Sequence, residues 1–214
     1  MLLAPSAYHR LCFGEGFKPW ITRRGNTFVV IAMLALADAP TTPRNILRQF
    51  YFKAPFRVSS ELEDRYVDEM LRMQLGDDHY PGDGATTANW PGQTAGIRGV
   101  NNAVSPKYTN LAAFADIKPK PPVLWIHGDS DAIVSDNSLF CFGYLGQLGI
   151  LPGWPGDAVF PPQPMVGQMR SVLDKYARNG GTVREVLLSE CGHSPHIEKP
   201  AEFQSELLRF IETL

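Results

Sequence analysis

No apolar run in the 214 residues approaches the roughly 20 needed to cross a bilayer. The longest, FVVIAMLALA over residues 28–37, is closed by Asp38 and reads as a core segment. The opening MLLAPSAYHR lacks the basic head and sustained apolar stretch of a secretory signal, which favours a cytoplasmic location. Neither sign of charge dominates: 20 Lys and Arg stand against 22 Asp and Glu, a net charge of −2, which argues against a nucleic-acid-binding surface. There are only three cysteines, Cys12, Cys141 and Cys191, widely spaced and without C-x-x-C, so neither a disulfide framework nor a zinc knuckle is implied. The sequence has no internal repeat and no low-complexity tract. No G-x-G-x-x-G or G-x-x-x-x-G-K follows a strand, so nothing is built to cradle a phosphate, and no cofactor is implied.

What remains is ordinary globular composition, 44% apolar and 20% charged, in a chain long enough for one domain or one domain with an insertion. By surface scaling such a chain buries roughly 70% of the area exposed when unfolded, enough for a real core. The 19 glycines and 18 prolines exceed average usage, so long structured loops are expected.

Thr42-Pro43 is an N-cap with proline at the first helical position, opening RNILRQFYFK with Ile46, Leu47, Phe50 and Tyr51 on one face and Pro55 at its end. Ser60-x-x-Glu63 reads as a capping box for a second helix, with Leu62, Tyr66, Met70 and Met73 three or four apart and Gly76 closing it. Residues 77–122 are mostly turn chemistry with at most one short helix at 111–114, a stretch too long for an idle connector. Pro121-Pro122 then leads into VLWIH, a continuous apolar run expected to be a parallel strand covered on both faces. A Gly/Pro-rich insertion over 137–164 precedes a helix at Met165–Arg178, with Met165, Met169, Val172, Leu173 and Tyr176 in one stripe and Gly180-Gly181 as its stop. VREVLL is a second strand, and Pro200 starts a helix with Phe203, Leu207, Phe210, Ile211 and Leu214 on one face. Strand, helix, strand, helix makes the two strands parallel neighbours through a right-handed crossover.

In an open parallel sheet, functional groups collect just past the carboxyl ends of the strands. Two loops occupy that place here. After VLWIH comes Gly128-Asp129-Ser130-Asp131-Ala132, and after VREVLL comes Cys191-Gly192-His193-Ser194-Pro195-His196-Ile197-Glu198. Neighbouring strands lie about 5 Å apart, so a carboxylate and an imidazole rooted there can reach hydrogen-bonding distance. Taken singly, an Asp in a loop caps a turn and a His satisfies a local hydrogen bond; the order and placement of the pair are what point to acid–base chemistry. His127 and His196 read as structural.

Strand-HGDSDAIV followed by strand-x-x-CGHSPHIEKPAEF-helix resembles the C-terminal part of the α/β-hydrolase family, over residues 118–214. The segments GDDHYPGD, RGVNNAVSPKY and SLFCFGYLGQLG are similar to a poorly characterised, esterase-like subgroup of that family. The resemblance implies an α/β fold: the C-terminal half of a parallel sheet with helices on both faces, plus a helical, loop-rich lid. It implies that Asp131 is the acid that orients the imidazole and His193 the general base, in the family's order of nucleophile, acid, histidine. Asp129 is the weaker carboxylate candidate.

The nucleophile of that family sits in G-x-S-x-G on a strand-to-helix elbow, and this sequence contains no such motif. Ser130 imitates it, but two flanking carboxylates oppose an alkoxide there, and IVSDN does not start a helix. Cys191 lies near the pair and reads better as a buried small hydrophobe. With the elbow go the two oxyanion-hole amides. The resemblance therefore implies a chain that begins after the elbow: residues 1–13 as the core strand following the nucleophile helix, 14–117 as the lid or cap, and 118–214 as the core carrying acid and histidine.

The activity expected by resemblance is serine-hydrolase cleavage of an ester or similar small lipophilic substrate, Trp90, Trp125 and Trp154 suiting a lid, core or acyl pocket. The alternative is a non-catalytic fragment or a binding and assembly module. A third arrangement has a separate polypeptide supply the missing strands and the serine. Asp77, Asp78, His79 and Asp83 show no metal-ligand spacing and read as a solvated loop. Expected partners are the small substrate and, through an open sheet edge, a second copy of the chain.

Overall fold

A computed structural model describes residues 42–103, 105, 107, 108 and 110–214. The expected core strand at 1–13, the apolar run at 28–37 and Cys12 lie outside the described residues. What is described is a mixed α/β structure of small sheets, two of them parallel, and helices. Among the described residues no helix is long and apolar enough to cross a membrane.

Helix α1 (Pro43–Ile46) opens on Thr42, whose hydroxyl accepts from the Asn45 N–H at 3.3 Å. The chain then widens into a π turn over Leu47–Tyr51 and becomes extended at Phe52, short of the expected stop at Pro55. Such turns insert one extra residue and re-aim the chain beyond them. Here Phe50 meets Phe140 edge-on at 4.8 Å, and Tyr51 turns toward the C-terminal half of the chain.

Helix α2 (Ser60–Leu71) is capped by Ser59, whose Oγ accepts from the Leu62 N–H, one residue earlier than the expected capping box. The reason is the fate of Glu63. Instead of reaching back to the cap it is buried and bridges two guanidinium groups, Arg44 at 2.6 Å and Arg48 at 2.5–2.6 Å. The helix ends at Leu71, well before Gly76.

The Arg48 and Arg44 hydrogen bonds hold the Glu63 carboxyl below the usual glutamate range against the cost of its burial. A carboxyl whose folded value is depressed adds stability that is complete above its unfolded value of roughly 4.3 and is lost as pH falls through the folded one. Both arginines are part-exposed, so removing the carboxylate is expected to cost on the order of 2 kcal/mol rather than a fully buried pair's larger penalty. Unfolding free energies of wild type and Glu63→Gln from urea titrations should differ by that amount at pH 6 and converge as pH falls through the folded carboxyl's range.

Residues 75–110 hold more order than turn chemistry suggests. Strands β1 (Leu75–Gly76) and β2 (Tyr80–Pro81) form a short parallel bridge, and β3 (Gly84–Thr86) pairs with β4 (Gln93–Ala95) as an antiparallel hairpin before helix α3 (Val100–Ala103). Asp83 organises this region: its Oδ1 accepts from the Ile97 and Arg98 backbone N–H groups and from Asn102 Nδ2, each at 2.8 Å. The Arg98 and Ile97 amides hold its carboxyl below the usual range. Asp77 and Asp78 face the Arg98 guanidinium.

A 3₁₀ turn, Leu111–Asp116, leads to strand β5 (Val123–Gly128), which pairs in parallel with β6 (Val183–Leu188) in the register Val123↔Val183 to Gly128↔Leu188. Their crossover contains the short helix α4 (Phe142–Gln147) and helix α5 (Met165–Arg178). Helix α5 has proline at its N-cap, so its first amides are served from elsewhere: Asp136 Oδ1 accepts from Val166 and Gly167 N–H at 2.8 and 2.9 Å. Its far end is anchored by Tyr176, 0% exposed, which stacks on Phe114 at 4.9 Å and donates its hydroxyl proton to the Pro121 carbonyl at 2.6 Å. Glycine is required at 181, where a Cβ would lie 2.0 Å from the Tyr176 ring.

Ile133, Phe140, Cys141 and Met165 form the core beneath the acid loop. One expectation of coverage is corrected. Val123–His127 are half-buried rather than enclosed on both faces, because β5 and β6 pair with no third strand among the described residues. Leu207, Ile211 and Leu214 of the C-terminal helical stripe are exposed.

Candidate active site

Strand β5 positions Asp131. At its end Gly128 packs so closely on the neighbouring loop that a Cβ would sit 2.1 Å from the Cys191 carbonyl oxygen and 2.3 Å from that of Gly192. The pairing continues into the turn: Asp129 N–H donates to the Leu188 carbonyl at 3.0 Å and Ser130 N–H to that of Cys191 at 2.9 Å. The chain then folds so that Asp131 Oδ1 accepts from Ile133 and Val134 N–H at 2.7 and 2.9 Å, which locks the carboxylate to its own loop.

The other oxygen, Oδ2, lies 2.9 Å from Nδ1 of His193, with side-chain exposures of 8% and 20%. Since the carboxylate accepts, Nδ1 is the donor and the neutral ring keeps its lone pair on Nε2. Among the described residues Nε2 takes no hydrogen bond. The ring is steadied on a second side by Tyr51, edge-on at 5.6 Å.

Beneath the histidine lies a residue that spacing alone does not single out. Glu198, 8% exposed, ends the short helix α6 (Pro195–Glu198) that precedes helix α7 (Pro200–Ile211). Its Oε1 accepts from Gly192 and Ser194 N–H at 3.0 and 3.3 Å, and its Oε2 from Lys53 N–H at 2.7 Å. One carboxylate thus ties both flanks of His193 to a segment 145 residues away in sequence. The legible signal was Ser194-Pro195 opening a helix with an acid in its first turn.

No family model, curated protein or solved structure matches this chain.

Asp131 and His193 are brought together, whereas Asp129, Ser130 and Cys191 bond to one another and, among the described residues, make no side-chain hydrogen bond to that pair. Asp129 accepts from the Ser130 hydroxyl at 2.8 Å, the Ser189 hydroxyl at 3.2 Å and the Cys191 N–H at 3.4 Å, and the Ser130 bond foremost holds its carboxyl below the usual aspartate range. Ser130 is thereby spent on Asp129 and makes no hydrogen bond to His193. Cys191 is 0% exposed, and burial, helped by the nearby Glu198 charge, pushes its thiol up to about 12. At neutral pH it stays protonated and behaves as a small core residue.

His127 faces Glu185 at 2.9 Å and stacks on Trp125, while His196 packs on Phe203. Trp154 packs on Gly146, and its N–H donates to the Phe160 carbonyl. Trp90 lines a cleft that includes neither Asp131 nor His193. The arrangement at Asp131 and His193 can accept a proton at Nε2 and stabilise the imidazolium that results.

Proposed function

We propose that Asp131 and His193 are the acid and base of a serine hydrolase of the α/β-hydrolase type, acting on an ester or a similar small lipophilic substrate. The observation that carries this reading is the 2.9 Å contact between Asp131 Oδ2 and His193 Nδ1, past the carboxyl ends of adjacent parallel strands, with Oδ1 held by two backbone amides. In the mechanism His193 Nε2 takes the proton of the attacking serine and returns it to the leaving group, and Asp131 keeps the ring in the tautomer that can do so. No G-x-S-x-G occurs in the 214 residues, so the serine and the oxyanion amides of this mechanism lie outside the given residues. That same lack favours the second reading, a non-catalytic module that retains the fold's acid and histidine.

Nitrogen-15 spectra of His193 test the pair: wild type should show the Nδ1–H tautomer, and Asp131→Asn should lose it. Turnover of p-nitrophenyl butyrate separates the two readings. Mixed with a polypeptide carrying a strand–G-x-S-x-G–helix unit, the chain should gain hydrolysis that is abolished by His193→Ala and falls about 10⁴-fold in Asp131→Asn. An unmodified tautomer in Asp131→Asn, or no gain on mixing, returns the chain to the non-catalytic reading.

A further inference from the structure

The cleft beside Trp90 has a volume of about 710 Å³ and lies where the β3–β4 hairpin meets the 137–164 segment. That size falls in the range of sites that enclose small organic ligands. Its apolar wall is aromatic: Trp90 stands edge-on to Phe160 at 4.8 Å and to Phe142 at 6.5 Å, and Val159 exposes 69% of its surface at the same place. The Trp90 ring is held in position by its N–H, which donates to the Pro152 carbonyl at 3.0 Å. A preformed aromatic wall suits the flat or branched apolar body of a ligand.

The polar end has one sign. Lys107 is the charged side chain on the lining, and among the described residues no carboxylate lines the cleft. The neighbours of its ammonium are neutral, the Ala95 carbonyl at 3.3 Å and the Tyr108 ring at 5.0 Å, and no described carboxylate lies within ion-pair distance. A phosphate or other dianion would find a single cation here. One carboxylate matches it.

We propose that this cleft binds an amphipathic monocarboxylate, its aryl or branched body against Trp90, Phe142 and Phe160 and its carboxylate at Lys107. The site is independent of the hydrolase reading, because neither Asp131 nor His193 touches the cleft.

Calorimetric titration with 4-phenylbutyrate and its neutral isostere 4-phenylbutyramide tests it. Wild type should bind the acid about 5-fold more tightly than the amide, the scale of a solvent-accessible ion pair. Lys107→Met, at an exposed position, should bring the two affinities together without changing that for the amide, and Lys107→Arg should restore the preference. His193→Ala should leave both affinities unchanged, so failure here and failure of the hydrolase reading are told apart. Absence of saturable binding, equal affinities in wild type, or a preference that survives Lys107→Met overturns the proposal.

Discussion

Alanine at Gly128 is expected to destabilise the molecule by at least about 3 kcal/mol and to break the contact between Asp131 and His193. The added carbon would lie 2.1 and 2.3 Å from two carbonyl oxygens, and both belong to backbone that has no rotamer to change. Relief requires the 191–192 backbone to move away from β5, and that backbone carries His193 on its next residue. The variant should therefore show a lowered urea midpoint together with loss of the His193 Nδ1–H signal. Unchanged stability would mean that the strand end and the histidine loop do not pack this closely. Gly181→Ala, which strikes the Tyr176 ring instead, is the control: it should destabilise while sparing the imidazole signal.

Glu198→Ala is the second large effect, expected at about 3–5 kcal/mol. Three backbone donors, those of Lys53, Gly192 and Ser194, lose their acceptor together, and Gly192 and Ser194 are buried where water does not replace it. Glu198→Gln keeps one acceptor oxygen and should lose roughly half as much. Chemical denaturation of the two variants checks the order, and a cost near zero for Glu198→Ala would show that the amides have other partners.

The meeting of Asp131 and His193 was legible because two independent regularities coincided on them. VLWIH and VREVLL carry strand character over their whole length, and the stripe of Met165–Arg178 fixes the crossover that makes them parallel, so the loops holding Asp131 and His193 had to meet at one edge. The structure bounds those three elements where periodicity, proline and glycine place them. What sequence could not show depends on contacts distant along the chain. Glu198 is an ordinary first-turn acid until Lys53 arrives beside it. Glu63 has the spacing of a capping residue, and only the approach of Arg44 and Arg48 from another helix draws it away and leaves the cap to Ser59. The Asp83 hub and the hairpin of residues 84–95 lie in sequence whose Gly, Asp and Asn content signals turns without saying which backbone amides those side chains will satisfy.

The widened turn at Leu47–Tyr51 makes the flank of the imidazole depend on a residue count. A π turn is an α-helix holding one surplus residue that the wide turn absorbs, so excising a single position there regularises the spiral and removes the local widening in which Phe50 and Tyr51 sit. Phe50 would slide off Phe140 and Tyr51 would swing clear of His193 in the same stroke. The surplus residue is a spacer, and the ring's packing is tuned by length where most sites are tuned by side-chain identity.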